Sequence, residues 1–470
     1  MALRDHLIDI EPLRSSRDFR AIFIARVVSL FGLGMATVGL YDQVYTLTGS
    51  SFGVATTSII MSITVLTGSL WGGWMADRTD RRTLIICARG AAALAFAGLA
   101  VNAYLPDPSL WVIYLCVAWD GLATGVSVTA LMAVAPTLVR PDQLPAAGAL
   151  ISLTGEIGSI AAPFLGGVLL ATTGGPGPVF AFAAVSTAVT TLLITRVRPL
   201  PPVADDGDGD GTKDSGSPLV AFRYAVRNRV IGSLLLLGGV NAVFSLPTVV
   251  FPELVDTRFG GSKVVLGLLY TAPAIGAVLV SATSGWLSRT RRPGRTLLAA
   301  GLTGGLATIG FALSGQVWVA ALALAVCGAA GTVYEILEYA LVQHNTPDRL
   351  RGRIVGVLTA QGTTGGVAGD AEAAAVARWY GPGGAVLLGG AVCAAAAVLV
   401  ALCVPALRRA TLPAPGERPD PAGTDPGEPV AARSPDERGK ERAEQLGARV
   451  VLLDADRHVD VAALARQAVR

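Results

Sequence analysis

The chain has 470 residues, 52% of them hydrophobic and only 15% charged, with a net charge of +3 and a mean hydropathy of +0.56. A soluble domain carries about 25% charged residues, so an ordinary water-soluble fold is excluded, and the small net charge gives no footing for nucleic-acid binding. In lipid every backbone polar group must be satisfied within the protein, which leaves helices or a closed barrel; the apolar runs here are long and do not alternate, so an all-α membrane protein is expected.

Residues 1–19 read as a short cytoplasmic arm with Arg4, Arg14 and Arg17 and without a cleavable signal pattern, so the first span itself serves as insertion signal. About 20 residues at ~1.5 Å rise cross a ~30 Å hydrocarbon core. On that length, spanning helices are expected at 21–46, 52–76, 83–105, 110–139, 144–172 and 178–197. A second set is expected at 230–252, 263–288, 295–314, 317–343, 353–378 and 383–406. Twelve transmembrane helices then fall into two six-helix bundles, 20–197 and 229–407. Between them, 198–228 is a polar cytoplasmic linker, beginning Pro199-Leu200-Pro201-Pro202 and continuing through Asp205, Asp206, Asp208 and Asp210. A short surface helix is expected over 217–229. From 408 to 470 the chain reads as a cytoplasmic tail, expected to be mostly disordered because it turns Pro/Gly-rich and charged.

Basic residues fix the orientation. Arg78, Arg81, Arg82, Arg140, Arg196, Arg198, Arg289, Arg291, Arg292, Arg349 and Arg351 fall in loops on one face, whereas the loops near 47–51, 106–109, 173–177 and 315–316 hold none. Only Arg258 and Arg378 sit on or near the other side. The positive-inside rule places both termini in the cytoplasm.

The stretch from Gly72 to Thr83 is a dense charge cluster between two apolar runs. Its glycines allow one helix end to approach a neighbour closely, and its aspartate can pair with an arginine or sit at the positive end of the next helix. Gly73, Ala76, Asp77, Arg78, Arg81 and Arg82 match the loop signature G-x-L-A-D-R-x-G-R-[RK] of the major facilitator superfamily, with Met75 for the leucine and Asp80 for the second glycine. A plain positive-inside turn accounts for the arginines but not for the glycine-to-aspartate spacing. Gly285-Trp286-Leu287-Ser288-Arg289-Thr290-Arg291-Arg292 follows the eighth expected span as a decayed second copy, with Ser288 where Asp77 stands. Two related bundles around a central cavity fit that repetition. The fifth expected span carries Gly155-Glu156-Ile157-Gly158-Ser159-Ile160-Ala161-Ala162-Pro163-Phe164-Leu165-Gly166-Gly167, which resembles the superfamily's antiporter motif, with Ala162 in place of a glycine. Pro163 kinks the helix and Gly158, Gly166 and Gly167 give it a smooth face.

Carboxylates within spans are costly unless paired, protonated or set in a cavity. The candidates are Asp42, Asp120, Glu156, Glu335, Glu338, Asp370 and Glu372. On depth, Asp42 and Glu372 fall near the outer face, where simple solvation would explain them. Asp120 and Glu156 lie nearer mid-helix and read as cavity residues. Glu335 and Glu338 share one helical face and could share a proton or meet a positive substrate. Arg26 reads as a snorkelling arginine. Cys87, Cys116, Cys327, Cys393 and Cys403 lie singly in apolar runs with no metal spacing, so they read as packing or lipid-facing residues. No metal site, cofactor site, P-loop or nucleophile constellation is found, so neither an enzyme nor an ATP-driven pump is expected.

Further stretches narrow the resemblance: Ala88-Arg89-Gly90, Asn102 to Leu110, Trp119-Asp120-Gly121, Val128 to Leu131, Leu341-Val342-Gln343 with Thr346-Pro347, Gly352-Arg353-Ile354 and Thr359-Ala360-Gln361. Over 20–407, without the linker, the chain resembles the enterobactin (siderophore) exporter family. The resemblance implies the major facilitator fold in a bacterial cell membrane and proton-coupled export of an enterobactin-like siderophore, a catecholate peptide, from the cytoplasm by alternating access. It also implies a conformational latch at Gly73, Asp77, Arg78, Arg81 and Arg82, and a monomer whose partners are a small molecule, protons and the bilayer. Asp42 and Glu156 make the expected cavity more acidic than in that family, which suits a cationic or neutral ligand better than a bare anion. The alternative within the superfamily is a multidrug or macrolide efflux pump. A non-transporting scaffold is disfavoured, since it needs neither motif.

Overall fold

The computed structural model describes residues 17–76, 78–134, 144–196, 223–224 and 227–410. Asp77, residues 135–143, nearly all of the linker with its expected surface helix, and the tail beyond 410 lie outside the described residues. The first set of helices is α1 (Arg17–Thr48), α2 (Ser51–Ala76), α3 (Arg81–Tyr104), α4 (Leu110–Val134), α5 (Leu144–Thr173) and α6 (Gly177–Ile194). The second set is α7 (Arg229–Phe244), the short α8 (Phe251–Arg258), α9 (Lys263–Thr283), α10 (Pro293–Leu313), α11 (Val317–Asn345) and α12 (Asp348–Cys403), with α13 (Pro405–Arg409) at its end.

Local chemistry explains the boundaries. Asp80 caps α3 by accepting from the Arg82 amide at 3.1 Å, and Asn228 caps α7 by accepting from Val230 and Ile231, which satisfies otherwise orphaned donors. The seventh span was expected as one helix over 230–252. It instead breaks after Phe244 and resumes through a 3₁₀ turn, Thr248–Val250, into α8. Pro247 and Pro252 supply the reason, since proline lacks an amide donor and disfavours helix in the residue before it. The eighth span ends early, at Thr283, and passes into a 3₁₀ segment, Ser284–Arg289. Conversely, the gap expected between the last two spans closes almost entirely. The apolar helix Leu350–Cys403 is 54 residues long, too long for one crossing of a ~30 Å core. It divides at Gly381, whose φ of 73° and ψ of 169° are open to glycine, with Pro382 following. Twelve transmembrane crossings result among the described residues.

The packing repeats between the sets. In the first, α2 lies on α4, α3 on α4 and α6, and α1 on α5 and α6. In the second, α9 lies on α11, α10 on α11 and α12, and α7 on α12. Close approach is built from equivalent glycines: a Cβ on Gly68 of α2 would stand 2.3 Å from the Leu122 carbonyl of α4, and one on Gly276 of α9 only 1.7 Å from the Ala325 carbonyl of α11. The contacts between sets, α5 with α9 and α2 with the first part of α12, are exchanged by the same correspondence, as two repeats related by a pseudo-two-fold axis require.

The spans alternate in direction, so the arginine-bearing loops share one end. Apolar packing differs sharply between that end and the far end. At the far end a single core crosses both sets, joining Met35, Val54 and Phe180 to Phe251, Leu266, Phe311 and Val386. At the arginine-bearing end there are two cores. One, around Leu234, Leu297, Leu341 and Ile354, belongs to the second set; the other, around Phe19, Ala76, Ile85 and Ile194, belongs to the first.

Candidate functional site

At mid-span, on the arginine-bearing side of the shared core, lies a cavity of about 610 Å³. Its carboxylate and carboxamide side chains come from α5 (Glu156), α7 (Asn241), α11 (Glu335, Glu338) and α12 (Gln361). The structure therefore gathers three of the expected carboxylates around one space, and among the described residues no Lys or Arg lines it. Glu338 accepts from the Tyr334 hydroxyl at 3.3 Å. Gln361 is fixed by donating to the Leu235 carbonyl at 2.8 Å, and Asn241 by donating to that of Leu237 at 3.1 Å. Gly238 leaves the room they need, because a Cβ there would come within 2.7 Å of a Glu338 oxygen. Glu335 is the exposed member of the α11 pair and faces the cavity.

The other carboxylates lie elsewhere. Asp42 does not sit solvated at the outer face. It is buried and pairs with Lys263 of α9 at 2.6 Å, the side chains being 8% and 37% exposed, and both line a separate 340 Å³ pocket with Tyr45 and Asp256. The lysine supplies the compensation that burial of Asp42 demands. Asp370 accepts from the Ser58 hydroxyl. Asp120 is 5% exposed and lies in the first set, in the field of Arg89. Arg89 donates to the Ser29 hydroxyl at 2.6 Å, while one carboxylate oxygen of Asp120 is enclosed without a partner among the described residues. Arg26 is half-buried with its Nε enclosed and acts on Arg89 as a like charge. Glu372 is half-buried with one enclosed oxygen, a less solvated place than depth along the span suggested.

Further links tie the two sets at the far end. The Ser51 amide donates to Glu253 of α8 at 3.0 Å, with the Ser51 hydroxyl on the same oxygen, and the Tyr45 hydroxyl donates to Asp256 at 3.2 Å. Lys263, Glu253 and Asp256 were not singled out from the sequence. A lysine opening an apolar span, just after an outer stretch with Glu253 and Asp256, was the available signal.

At the motif loop, Arg78 stacks over Trp74 at 4.2 Å from the ring centroid and donates to the Trp74 carbonyl at 3.3 Å. Arg82 donates to the Thr195 carbonyl at the end of α6. Gly72, rather than Gly73, makes the close approach: a Cβ on Gly72 would lie 2.6 Å from the Val126 Cα, whereas one on Gly73 meets nothing within 4 Å. Arg81 lies in the first turn of α3. In the α5 motif, Gly158 faces Leu30 and Gly166 faces Met35 of α1, while Gly167 crosses Gly267 of α9 with 2.8 Å from its would-be Cβ to the Gly267 Cα. Thr271 donates to the Ile160 carbonyl at 2.9 Å, three residues before Pro163, so the proline-bearing segment is where α5 meets the other set.

Comparison with known proteins agrees with this architecture. The Major Facilitator Superfamily profile matches residues 22–369 and again 242–435. The enterobactin exporter EntS of Citrobacter koseri is 35% identical over 410 residues, 87% of this chain and 97% of that protein. Its counterpart in Salmonella typhimurium is 37% identical over 368 residues, 78% of this chain and 87% of the other. Among solved structures, the nucleoside transporter NupG superposes with a TM-score of 0.64 at 14% identity, covering 83% of this chain and 99% of NupG. A POT family transporter in complex with 5-aminolevulinic acid gives 0.65 at 13% identity, covering 83% and 97%. At such identities the structures share the fold alone.

Proposed function

The chain belongs to the major facilitator superfamily of membrane transporters, and from that premise we propose that it exports a siderophore from the cytoplasm in exchange for protons, by alternating access. The observation that carries the reading is the cavity with Glu156, Glu335 and Glu338 on its wall, placed between a sealed far end and two separate cores at the arginine-bearing end. Taking the arginine-bearing end as cytoplasmic, this is an inward-facing arrangement ready to load. The two six-helix bundles, 20–197 and 229–407, are the bodies that rock, and likeness to EntS supplies the substrate class.

The chemistry follows from the cost of charge at membrane depth. Glu335 and Glu338, one turn apart, are stabilised when a proton or a positive group of the cargo neutralises them. A site that holds either, but not both, couples outward movement of cargo to inward movement of protons. A lining with carboxylates and, among the described residues, without Lys or Arg suits a neutral or cationic cargo, so the siderophore differs in charge from an anionic catecholate. In the same scheme the loop holding Gly73, Asp77, Arg78, Arg81 and Arg82 latches the outward-facing state, and the α5 stretch with Gly158, Pro163, Gly166 and Gly167 is the surface on which the halves move.

Inverted membrane vesicles test the proposal. Wild-type protein accumulates the siderophore under a proton gradient and a protonophore abolishes the uptake; undiminished uptake without a gradient removes antiport. Asp77→Asn lowers the rate at least ~10-fold, roughly 1.4 kcal/mol of barrier, without loss of membrane insertion. The acidic cavity also favours a second reading, efflux of cationic drugs. Deletion of the gene under iron limitation separates the two: siderophore retained in the cell supports the first, and altered drug tolerance alone supports the second.

A further inference from the structure

A small groove on the outer surface of the second set is distinct from the transport cavity. It holds about 270 Å³ between α10 and the end of α12. Its walls are apolar, with Leu298 and Leu302 on one side and Val398 and Leu402 on the other, and two arginines, Arg295 and Arg408, stand at its arginine-bearing end. Val398 is 43% and Leu402 67% exposed. On a transmembrane helix such exposure is to the acyl chains of the bilayer.

The arginines are brought together by a specific contact. After the α12 helix ends at Cys403, α13 turns back over the start of α10. Gly294 permits this, since a Cβ there would lie 1.8 Å from the Leu407 carbonyl. Leu407 is fully buried in that contact, so the neighbouring Arg408 lines the same groove as Arg295, with Arg292 three residues before the one and Arg409 next to the other along the chain. Among the described residues neither the Arg295 nor the Arg408 guanidinium has a hydrogen-bond or ion-pair partner.

We propose that this groove binds one anionic phospholipid, its phosphate held by Arg295 and Arg408 and an acyl chain lying along Leu298, Leu302, Val398 and Leu402. Charge complementarity selects the occupant. Guanidinium forks match phosphate oxygens bidentately, and basic pockets between helices at the membrane face are suited to acidic headgroups. The apolar slot continues from the arginines along the helix axes, where an acyl chain runs. A zwitterionic lipid offers the same chain but brings its own cation to the arginines. Lipid seated here bridges α10, α12 and α13, so it strengthens the edge of the second set without touching the cavity.

The test uses the full chain purified in a neutral detergent and titrated with phosphatidylglycerol or phosphatidylcholine of equal chain length, with bound lipid read by native mass spectrometry. The wild type retains one phosphatidylglycerol in preference to phosphatidylcholine. Arg295→Gln with Arg408→Gln weakens phosphatidylglycerol about 30-fold, the weight of two interfacial arginines. Arg291→Gln, in the adjacent loop but outside the groove, leaves it unchanged. Leu302→Trp, which fills the slot and keeps both charges, weakens it as well. Equal retention of the two lipids overturns the proposal, as does undiminished phosphatidylglycerol binding in the double variant. Displacement by inorganic phosphate at matched concentration overturns the acyl-chain half of it. Thermal melting of each variant without lipid identifies any that has lost its fold, and Leu302→Trp then carries the decision.

Discussion

Six of the charged side chains within the spans fall into three environments. Glu335, Glu338 and Glu156 face a cavity; Asp42 is neutralised by Lys263 across the two sets; Asp120 is enclosed near Arg89 within one set. The Asp42–Lys263 pair has unequal members, because the carboxylate is nearly buried and the ammonium is over a third exposed. Removing the lysine strands a buried charge, whereas removing the carboxylate leaves an ammonium that reaches solvent. Lys263→Ala therefore lowers the melting temperature more than Asp42→Asn, and the double variant Asp42→Asn/Lys263→Ala recovers much of the difference; thermal unfolding in detergent checks the order. At the cavity, Glu338→Gln retains the hydrogen bond from Tyr334 and removes the charge. It reduces proton-driven transport at least ~10-fold while downhill exchange of a neutral cargo survives, which a vesicle counterflow assay reads. The carboxylates themselves were legible in the sequence, since charge is rare at membrane depth. Their partners were not, because Lys263 lies 221 residues from Asp42 along the chain and pairing at that separation is invisible to local pattern.

At the scale of helices, small residues decide how closely spans pack. The would-be Cβ of Gly276 falls 1.7 Å from a backbone carbonyl, and that of Gly73 falls in open space. A backbone obstacle cannot rotate away as a side chain can, so Gly276→Ala pushes α9 off α11. Size-exclusion chromatography of fluorescently tagged protein registers this as loss of the monodisperse peak, and Gly73→Ala leaves the peak intact. The hinge glycine in α12 differs in kind. Gly381 has a backbone conformation unfavourable to other residues, and Gly381→Ala costs of order 1–3 kcal/mol from strain alone. Helix positions were legible in the sequence to within a few residues, because a ~30 Å apolar slab imposes length and composition on every span. The breaks were read less well. Pro247 and Pro252 interrupt the seventh span at a point that hydropathy passes over, since it averages over residues without registering a missing amide donor.

For the whole molecule, the decisive feature is asymmetry between its ends: one apolar core crosses both sets at the far end, and two cores divide them at the other. Carboxylates from the second set and hydroxyls from the first reinforce the far end, Ser51 on Glu253, Tyr45 on Asp256 and Ser58 on Asp370. If these links must open for release, cysteines replacing Ser58 and Asp370 cross-link under mild oxidation and arrest transport, and reduction restores it; transport that continues while cross-linked shows that the far end need not part. The sequence by itself determined that the chain lives in lipid, how many times it crosses, and which residues are too polar to be there without a reason. Those properties are set by the bilayer, a uniform solvent that acts on each segment separately. Only the tertiary structure decided which carboxylates share a cavity, which are neutralised across the two sets and which end is closed, because these depend on how helices far apart in the chain are laid against one another.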